Sequence, residues 1–326
     1  MMKAFVLPAY GPPDQLLLTD IGTPVPAGDE VLVRVRAASV NPYDWHQMRG
    51  EPYFARLMPG GLGLRRPKLD VLGCDMAGQV EAAGPAVTGF SPGDDVYGLL
   101  PHGGFAEYVA APASLLAPKP KNLSYEEAAA VPMAALTALQ GLRDAGRLEP
   151  GQILLVNGAS GGVGTFAVQL GRALGAEVTG VCSTRNVALA RSLGATEVID
   201  YTAQDFTRHQ HRYDVVLDIA GSHPVRVSRR VLAPGGTFVV VGGPAGRWVQ
   251  PADRMLAALA LRPLVSQRMT TLIATGGAAH LAVLTDFIEE GSVTPVIDRR
   301  YPFEEIPAAI KYQEKGHARG KVVVTV

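Results

Sequence analysis

The stretch "ILLVNGASGGVGTFAVQLGRALGA" (residues 153–176) constrains the fold more than any other part of the chain. It reads as a buried strand, a glycine-rich turn and a helix of small and apolar residues. Ala159, Gly161 and Gly164 occupy the three positions of a dinucleotide fingerprint, with alanine at the first. Backbone amides and the helix N-terminus can then meet a pyrophosphate. The predicted contacts in this turn are Ala159, Ser160, Gly161, Gly162 and Val163.

The fingerprint belongs to a longer alternation of strand and helix patterns. Short Val-rich runs such as "EVTGVCS", "YDVVLDIAG" and "TFVVVGG" alternate with amphipathic helical stretches from residue 152 onward. This alternation predicts βαβ units, an α/β fold with a doubly wound parallel sheet, and a ligand near the carboxyl ends of the strands.

The strand after the fingerprint indicates which dinucleotide binds. An NAD site places a carboxylate there, about twenty residues on, but the strand ends "GVCSTRN". Ser183, Thr184 and Arg185 suit a 2′-phosphate, so we expect NADP(H). The alternative is a solvated helix start capped by Ser183 or Thr184. Tyr201, after "EVID", is either a residue flanking the adenine or a surface tyrosine.

Changes in residue pattern along the chain indicate where the domains begin and end. Residues 1–122 have short apolar runs and turn residues, typical of a β-rich domain. Ser124 and Glu127 then have capping-box spacing ahead of a helical stretch. We expect a first domain at 1–122, a cofactor domain at 123–262, and a segment at 263–326 whose last strand returns to the first domain.

The amino-acid composition limits the kinds of partner that the protein is expected to bind. Lys plus Arg equals Asp plus Glu at 30 each, so no basic field favours nucleic acid or an anionic membrane. Two cysteines are too few for a disulfide framework. No signal peptide or spanning segment is evident. We therefore expect a soluble cytoplasmic protein with a small-molecule ligand.

Several motifs, in order along essentially the whole chain, resemble the medium-chain dehydrogenase/reductases, and within them the zinc-free quinone oxidoreductase branch. They are "SVNPYDWHQMRG", "GGFAEYV", "GASGGVGTFAVQLGRALGA", "LGATEVIDY" and "HARGKVVV". The resemblance implies a GroES-like catalytic domain built from both chain ends and a Rossmann-like cofactor domain between them. It also implies a homodimer formed through cofactor-domain edge strands, here "TFVVVGG".

Zinc-dependent members of that family carry ligands at positions that fall on Asn41, Cys74 and Met133. An amide, one thiol and a thioether make a poor zinc shell, so we predict no metal. A rearranged site of Cys74, Asp75 and His46 is the alternative, and it would make the protein a zinc alcohol dehydrogenase with unusual ligands.

The resemblance also supplies candidate site residues. Asn41 is expected to bind the cofactor ribose or the substrate oxygen, and His46 or Tyr43 to donate a hydrogen bond or proton, unless solvent does so. Asp44 is expected to organise its loop. Further cofactor contacts are expected from Thr137, Ala220, Val241, Gly242, Gly243 and Lys321, the last being otherwise a surface lysine.

Aromatic residues and one long loop are candidates for the substrate pocket. Trp45, Tyr53, Phe54 and Trp248 either line it or fill the core. The glycine-rich segment 54–68 is the candidate pocket edge.

These patterns predict an NADPH-dependent, zinc-independent reductase of quinones or α,β-unsaturated carbonyls. A second hypothesis is an NADPH-binding sensor or structural protein without significant turnover.

Overall fold

The computed structural model describes residues 1–58 and 62–326. Its strands are β1 (Met2–Val6), β2 (Leu17–Ile21), β3 (Glu30–Val40), β4 (Asp75–Ala83), β5 (Asp95–Leu99), β6 (Tyr108–Pro112), β7 (Leu116–Pro118), β8 (Ile153–Asn157), β9 (Glu177–Cys182), β10 (Glu197–Asp200), β11 (Tyr213–Asp218), β12 (Leu232–Val240), β13 (Arg268–Thr271), β14 (Ile297–Pro302) and β15 (Lys321–Thr325). Its α-helices are α1 (Pro42–Arg49), α2 (Tyr125–Ala129), α3 (Pro132–Leu139), α4 (Gly162–Ala173), α5 (Val187–Ser192), α6 (Val225–Ser228), α7 (Ala252–Leu261), α8 (Ala278–Glu289) and α9 (Ile306–Glu314).

The chain forms two compact units. The first comprises Met1–Met133, Gly276–Glu289 and Pro295–Val326, and the second comprises Ala134–Thr275 and Glu290–Thr294. These divisions fall after the predicted boundaries at residues 122 and 262, because α2 packs on β3 and β4 while β13 extends the sheet of the second unit.

The first unit is built around a seven-stranded sheet of order β14-β15-β3-β4-β5-β7, with β6 also paired to β3. The last strand of the chain, β15, pairs antiparallel with β3, with Val322 opposite Val40. Alternate residues of β3, Val31, Val33 and Val35, are buried in one core cluster, as a half-buried strand requires.

The second unit confirms the predicted doubly wound sheet. Its six strands run parallel in the order β10-β9-β8-β11-β12-β13. The order reverses between β8 and β11, and ligands of such sheets bind at the carboxyl ends of the strands at that reversal.

Two local expectations have opposite outcomes. The capping box of α2 is confirmed, because the Ser124 N–H donates to Glu127 Oε2 at 2.8 Å and the Glu127 N–H donates to Ser124 Oγ at 3.2 Å. The expectation that "TFVVVGG" is an edge strand is wrong, because this strand, β12, pairs on both sides with β11 and β13. Strand order depends on partners that a single strand's sequence does not reveal.

Among the described helices, none has both the length and the apolar character that crossing a membrane requires.

Candidate active site

The glycine-rich turn joins β8 to α4 where the strand order reverses. Gly158 lies at φ +100°, and the N–H groups of Gly158 and Ala159 both donate to the Val181 carbonyl of β9, at 3.1 and 3.0 Å. Gly161 is the N-cap of α4. The turn at the carboxyl end of β8 therefore contains the predicted residues Ala159, Ser160, Gly161, Gly162 and Val163.

Gly161 and Gly164 are needed in this turn for different structural reasons. A Cβ on Gly164 would lie 2.0 Å from the Gly158 carbonyl oxygen, so only glycine lets α4 approach the turn this closely. A Cβ on Gly161 would have no neighbour nearer than 3.8 Å, so glycine there leaves the turn surface bare. First-turn N–H groups have no carbonyl partner within the helix and carry the positive end of its dipole. This arrangement fits a phosphate group.

Asn186 connects the turn to the next strand, a role that the sequence reasoning missed. Its side chain is buried, and Nδ2 donates to Ser160 Oγ at 2.8 Å and to Ser183 Oγ at 3.3 Å. Its Oδ1 is buried without a hydrogen-bond partner. Such an unpaired buried acceptor is uncommon in folded proteins, and the Nδ2 hydrogen bonds connect the glycine-rich turn to the end of β9.

A carboxylate lies beside the predicted 2′-phosphate residues, and it comes from β10 rather than β9. Asp200 pairs in register with Cys182, and its Oδ2 accepts a 2.6 Å hydrogen bond from Thr184 Oγ1. Hydrogen bonds from Thr184 and Thr202 lower the pKa of Asp200. The Thr184 hydroxyl therefore already has a partner, while Arg185 and Tyr201 have exposed side chains.

The ends of β11 and β12 hold the predicted contacts Ala220, Val241, Gly242 and Gly243. The N–H of Ala220 donates to the Asn157 carbonyl at 3.1 Å, and the N–H of Val241 donates to the Asp218 carbonyl at 3.0 Å. Thr137 lies buried on α3 in the same unit.

A buried ion pair supports these strand ends. Arg254 of α7 donates to the Asp218 carboxylate and, at 2.7 Å, to the His223 carbonyl. Burial raises the pKa of Asp218, although the attraction of Arg254 and the 2.7 Å hydrogen bond from Asn157 oppose that shift. The sequence reasoning missed Arg254, because nothing in its neighbourhood indicates a partner 36 residues away.

In the first unit, Asp44 organises the start of α1, as predicted. Its Oδ2 accepts the Asn41 N–H at 2.7 Å and its Oδ1 accepts the Gly73 N–H at 3.2 Å. Burial raises the pKa of Asp44 to about 7, and nearby Asp75 adds to this rise, while the hydrogen bonds and Lys321 oppose it.

Asp75 is the centre of a buried cluster in which four donors hydrogen-bond to its carboxylate. Its carboxylate accepts from Ser39 Oγ at 2.7 Å, Asn41 Nδ2 at 2.9 Å, the Met133 N–H at 2.8 Å and Lys321 Nζ at 3.2 Å. Lys321 also donates to Asn41 Oδ1. Lys321 is 3% exposed, so it is not a surface lysine. Both predicted cofactor contacts, Asn41 and Lys321, have partners inside their own unit.

His46 and Tyr43 lie on α1 and differ in what they offer. His46 Nδ1 lies 3.0 Å from the Glu51 carbonyl oxygen, which can only accept, so Nδ1 carries the hydrogen and Nε2 is an acceptor. Burial lowers the pKa of His46, which keeps the ring neutral. Tyr43 is 39% exposed. Partial burial, and then Cys74 and Asp44, raise the pKa of its hydroxyl, so it keeps its proton and stays a donor.

The zinc-ligand positions of the resembling family do not fit a metal here. Zinc prefers thiolate and imidazole ligands, whereas these positions hold an amide, one buried thiol and a thioether. Burial, and then Asp44 and Asp75, raise the pKa of Cys74 well above the ordinary value. Asn41 Nδ2 donates toward Cys74 Sγ at 3.4 Å, and the Lys321 ammonium already neutralises Asp75. Among the described residues, Cys74, Asp75 and His46 do not form a three-ligand group.

The aromatic residues predicted for the pocket differ widely in how exposed they are. Trp45 belongs to a core cluster and its ring stacks on His46 at 3.7 Å, whereas Trp248 is 73% exposed. Tyr53 and Phe54 are half-buried. Within the candidate loop 54–68, residues 59–61 lie outside the described residues. Arg56 belongs to this loop, and its guanidinium carbon lies 4.2 Å from the centroid of the Tyr10 ring.

Comparisons with known proteins agree with this architecture. Residues 27–121 match the model of the alcohol dehydrogenase GroES-like domain, and residues 193–324 match that of the zinc-binding dehydrogenase family. The mitochondrial NAD(P)H oxidoreductase RTN4IP1 of Mus musculus is 34% identical, across 100% of this chain and 89% of that protein. The 2-methylene-furan-3-one reductase of Solanum lycopersicum is 35% identical, across 99% of this chain and 79% of that protein.

Among solved structures, the quinone oxidoreductase of Coxiella burnetii superposes with a TM-score of 0.86 at 31% identity, covering 100% of this chain and 99% of that one. With these matches spanning both units, the chain is an oxidoreductase that belongs to the medium-chain dehydrogenase/reductase superfamily, in its quinone oxidoreductase-like branch.

Proposed function

We propose that this oxidoreductase uses NADPH to reduce quinones or α,β-unsaturated carbonyl compounds without a catalytic metal. The observation that carries the proposal is the Asp75 cluster. At the family's zinc-ligand positions, an amide and a protonated thiol surround a carboxylate that Lys321 already neutralises. The names of the mouse and tomato relatives, an NAD(P)H oxidoreductase and a furanone reductase, support the same class of reaction.

The chemistry divides between the cofactor and the chain. When bound, the reduced nicotinamide supplies a hydride. A quinone or enone accepts it without a Lewis acid because the negative charge spreads onto an oxygen that a donor can hold. We assign that donor to Tyr43, whose hydroxyl keeps its proton, and not to His46, whose Nε2 is an acceptor. Solvent is the alternative proton source.

The cofactor contacts are assigned to the second unit. The first-turn amides of α4 bind the pyrophosphate, and Asn186 holds Ser160 and Ser183 in position beside that turn. Arg185 pairs with the 2′-phosphate, which gives the preference for NADPH over NADH.

The test of catalysis is NADPH oxidation by chelator-treated protein with one quinone, one enone and one simple aldehyde. Turnover of the quinone or enone, equal with and without chelator, supports the proposal. Tight NADPH binding without turnover of any of them would favour the hypothesis of a cofactor-binding sensor. Activity lost to chelator and restored by zinc would favour the zinc alcohol dehydrogenase. Tyr43→Phe should lower kcat and leave the Kd for NADPH unchanged.

The test of cofactor choice is Arg185→Ala. Losing a charged phosphate partner costs about 1–3 kcal/mol, so NADPH binding should weaken about 5- to 150-fold while NADH binding stays nearly constant. Arg191→Ala, an exposed arginine on α5, is the matched control. Equal weakening of both cofactors would contradict the assignment.

We propose a homodimer, which β12 cannot mediate because it pairs on both sides. The edge strands of the parallel sheet are β10 and β13, and one of them would form the dimer interface.

The cytoplasmic location also stays a prediction. The names of several relatives place those proteins in mitochondria or chloroplasts.

A further inference from the structure

A cluster of three metal-ligating side chains lies in the second unit, apart from the residues assigned above. Glu197 stands at the start of β10, and His209 and His211 precede β11 in the sequence "RHQHRYD". Within the described part of the chain they are the one group of His, Cys, Asp or Glu side chains whose ligand atoms all lie within 4.8 Å of one another. We propose that these three residues bind a divalent transition-metal ion, with Zn²⁺ the best match.

The separations between the side chains match metal ligation better than hydrogen bonding. Glu197 Oε1 lies 3.4 Å from His209 Nε2, and Glu197 Oε2 lies 3.6 Å from His211 Nδ1. Charge-assisted hydrogen bonds between such groups are about 2.7–2.9 Å long. Two ligand atoms about 2.1 Å from a tetrahedral zinc ion lie about 3.4 Å apart. Each imidazole nitrogen therefore lies close to this spacing from one oxygen of the Glu197 carboxylate, and one ligand atom from each of the three residues lies within 4.8 Å of the other two.

A hydrogen bond outside the cluster orients His209. The Tyr213 hydroxyl lies 3.0 Å from His209 Nδ1. If Nδ1 carries the hydrogen and donates to Tyr213, Nε2 offers its lone pair on the side of Glu197. A metal-binding histidine commonly has such a partner on its other nitrogen, which fixes the tautomer and the ring orientation.

The backbone between the two histidines is held in place as well. Arg212 Nη1 donates to three successive carbonyl oxygens, those of His209, Gln210 and His211, at 3.1–3.2 Å. This fixes the turn that brings both imidazoles toward Glu197 before any ligand arrives. The site is also accessible, because the His211 side chain is 65% exposed and that of Glu197 is 41% exposed.

A bound ion would connect the start of β10 to the last residues of the connection between β10 and β11. That connection begins with Tyr201 and Thr202, next to the residues assigned to the 2′-phosphate. An ion that binds only the folded state stabilises it by mass action. Two imidazoles and one carboxylate form a ligand set typical of zinc, and water would complete a four-coordinate shell.

The experiment measures Zn²⁺ binding to the full-length chain without an affinity tag, after dialysis against chelator, by competition with a chromophoric chelator. Visible absorption of the Co²⁺-substituted protein reports tetrahedral geometry. We expect one ion per chain, and at least about tenfold weaker binding in His209→Ala, His211→Ala and Glu197→Gln. Tyr213→Phe should weaken binding by about tenfold, since removal of an orienting partner typically costs 10- to 100-fold.

Two controls separate this site from others. His317→Ala changes an exposed histidine of the first unit and should leave Zn²⁺ affinity unchanged. Cys74→Ser should also leave it unchanged, whereas loss of zinc in that variant would locate the metal at the family's catalytic position. Zn²⁺ should raise the Tm of the wild type and not that of His211→Ala. Absence of stoichiometric binding, or binding equal in the wild type and the histidine variants, would overturn the proposal.

Discussion

The two units contain polar regions that are organised in opposite ways. Around Asp75 in the first unit, four donors converge on one buried carboxylate, and Lys321 supplies the compensating charge. Around the Gly158 to Gly164 turn in the second unit, glycine leaves the surface bare and Asn186 Oδ1 has no partner. The polar groups of the first region are paired with one another, whereas the second region contains an unpaired acceptor and the first-turn amides of α4, which have no carbonyl partner within the helix.

The difference shows how to separate structural from ligand-binding polar residues. A buried polar group must be paired, so an internally complete network serves stability, and breaking it should damage the fold. A region with open donors should tolerate changes that block its surface, and such changes should damage binding.

The largest effect is expected from Lys321→Met. It leaves the Asp75 carboxylate buried without a counter-charge, which should lower the free energy of unfolding by about 3–5 kcal/mol. Urea unfolding measures this loss. Adding Asp75→Asn should recover a large part of it, and the double-mutant cycle gives the coupling between the pair.

Lys311→Met, an exposed lysine on α9, is the control for Lys321→Met and should change stability by less than about 0.5 kcal/mol. If Lys321→Met were equally mild, Lys321 would not neutralise Asp75, and the first region would be open rather than complete.

The next largest effect is expected from the protonation of Asp44, which should make the free energy of unfolding depend on pH. The pKa of Asp44 is about 7 in the folded protein and near 3.8 in the unfolded chain, so between these values the folded protein holds a proton that the unfolded chain has lost. The stability from this group is fully present below pH 3.8 and decreases as pH rises to 7. The total loss is as much as about 4 kcal/mol.

The measurement is the free energy of unfolding at several pH values from 4 to 8 for the wild type and Asp44→Asn. The variant loses one of the two hydrogen bonds to Asn41 and Gly73 but should have a flatter pH profile. Parallel profiles would show that Asp44 does not titrate in this range.

A pair of glycine substitutions tests the open region. Gly164→Ala places a methyl group against the Gly158 carbonyl, which should cost about 1–3 kcal/mol of stability. Gly161→Ala meets nothing within 3.8 Å and should cost no more than about 1 kcal/mol, yet it covers the bare surface and should weaken NADPH binding. Unfolding curves and NADPH titrations of both variants separate the two effects. A Gly161→Ala protein with unchanged NADPH affinity would contradict the phosphate assignment.

Local patterns in the sequence predicted much of this molecule. The β8 to α4 turn and the start of α2 follow from residue spacing, because their contacts lie within a few residues. The alternation of elements predicted the parallel sheet. The buried ion pairs of the two units join residues that are distant in sequence: Lys321 and Asp75 are 246 residues apart, and Arg254 and Asp218 are 36 apart. No local pattern marks such partners.

Asp200 illustrates the same limit within the cofactor region. The sequence showed no carboxylate at the end of β9, which favoured NADP(H), but the parallel register of β10 places Asp200 beside Thr184. A carboxylate here would repel a 2′-phosphate, so the proposed pairing with Arg185 would have to offset this charge.

Asp200→Asn therefore tests how the charges of Asp200 and Arg185 together affect NADPH binding. We expect this substitution to have the smallest effect. Removing one exposed charge should strengthen NADPH binding by a factor within about fivefold, because the amide oxygen can still accept from Thr184. NADH binding should not change, and the gain should shrink at high salt, where exposed charges are screened. Asp286→Asn on α8 is the matched control. Weaker NADPH binding in Asp200→Asn would mean that the carboxylate supports the cofactor, for example by holding Thr184, and does not oppose it.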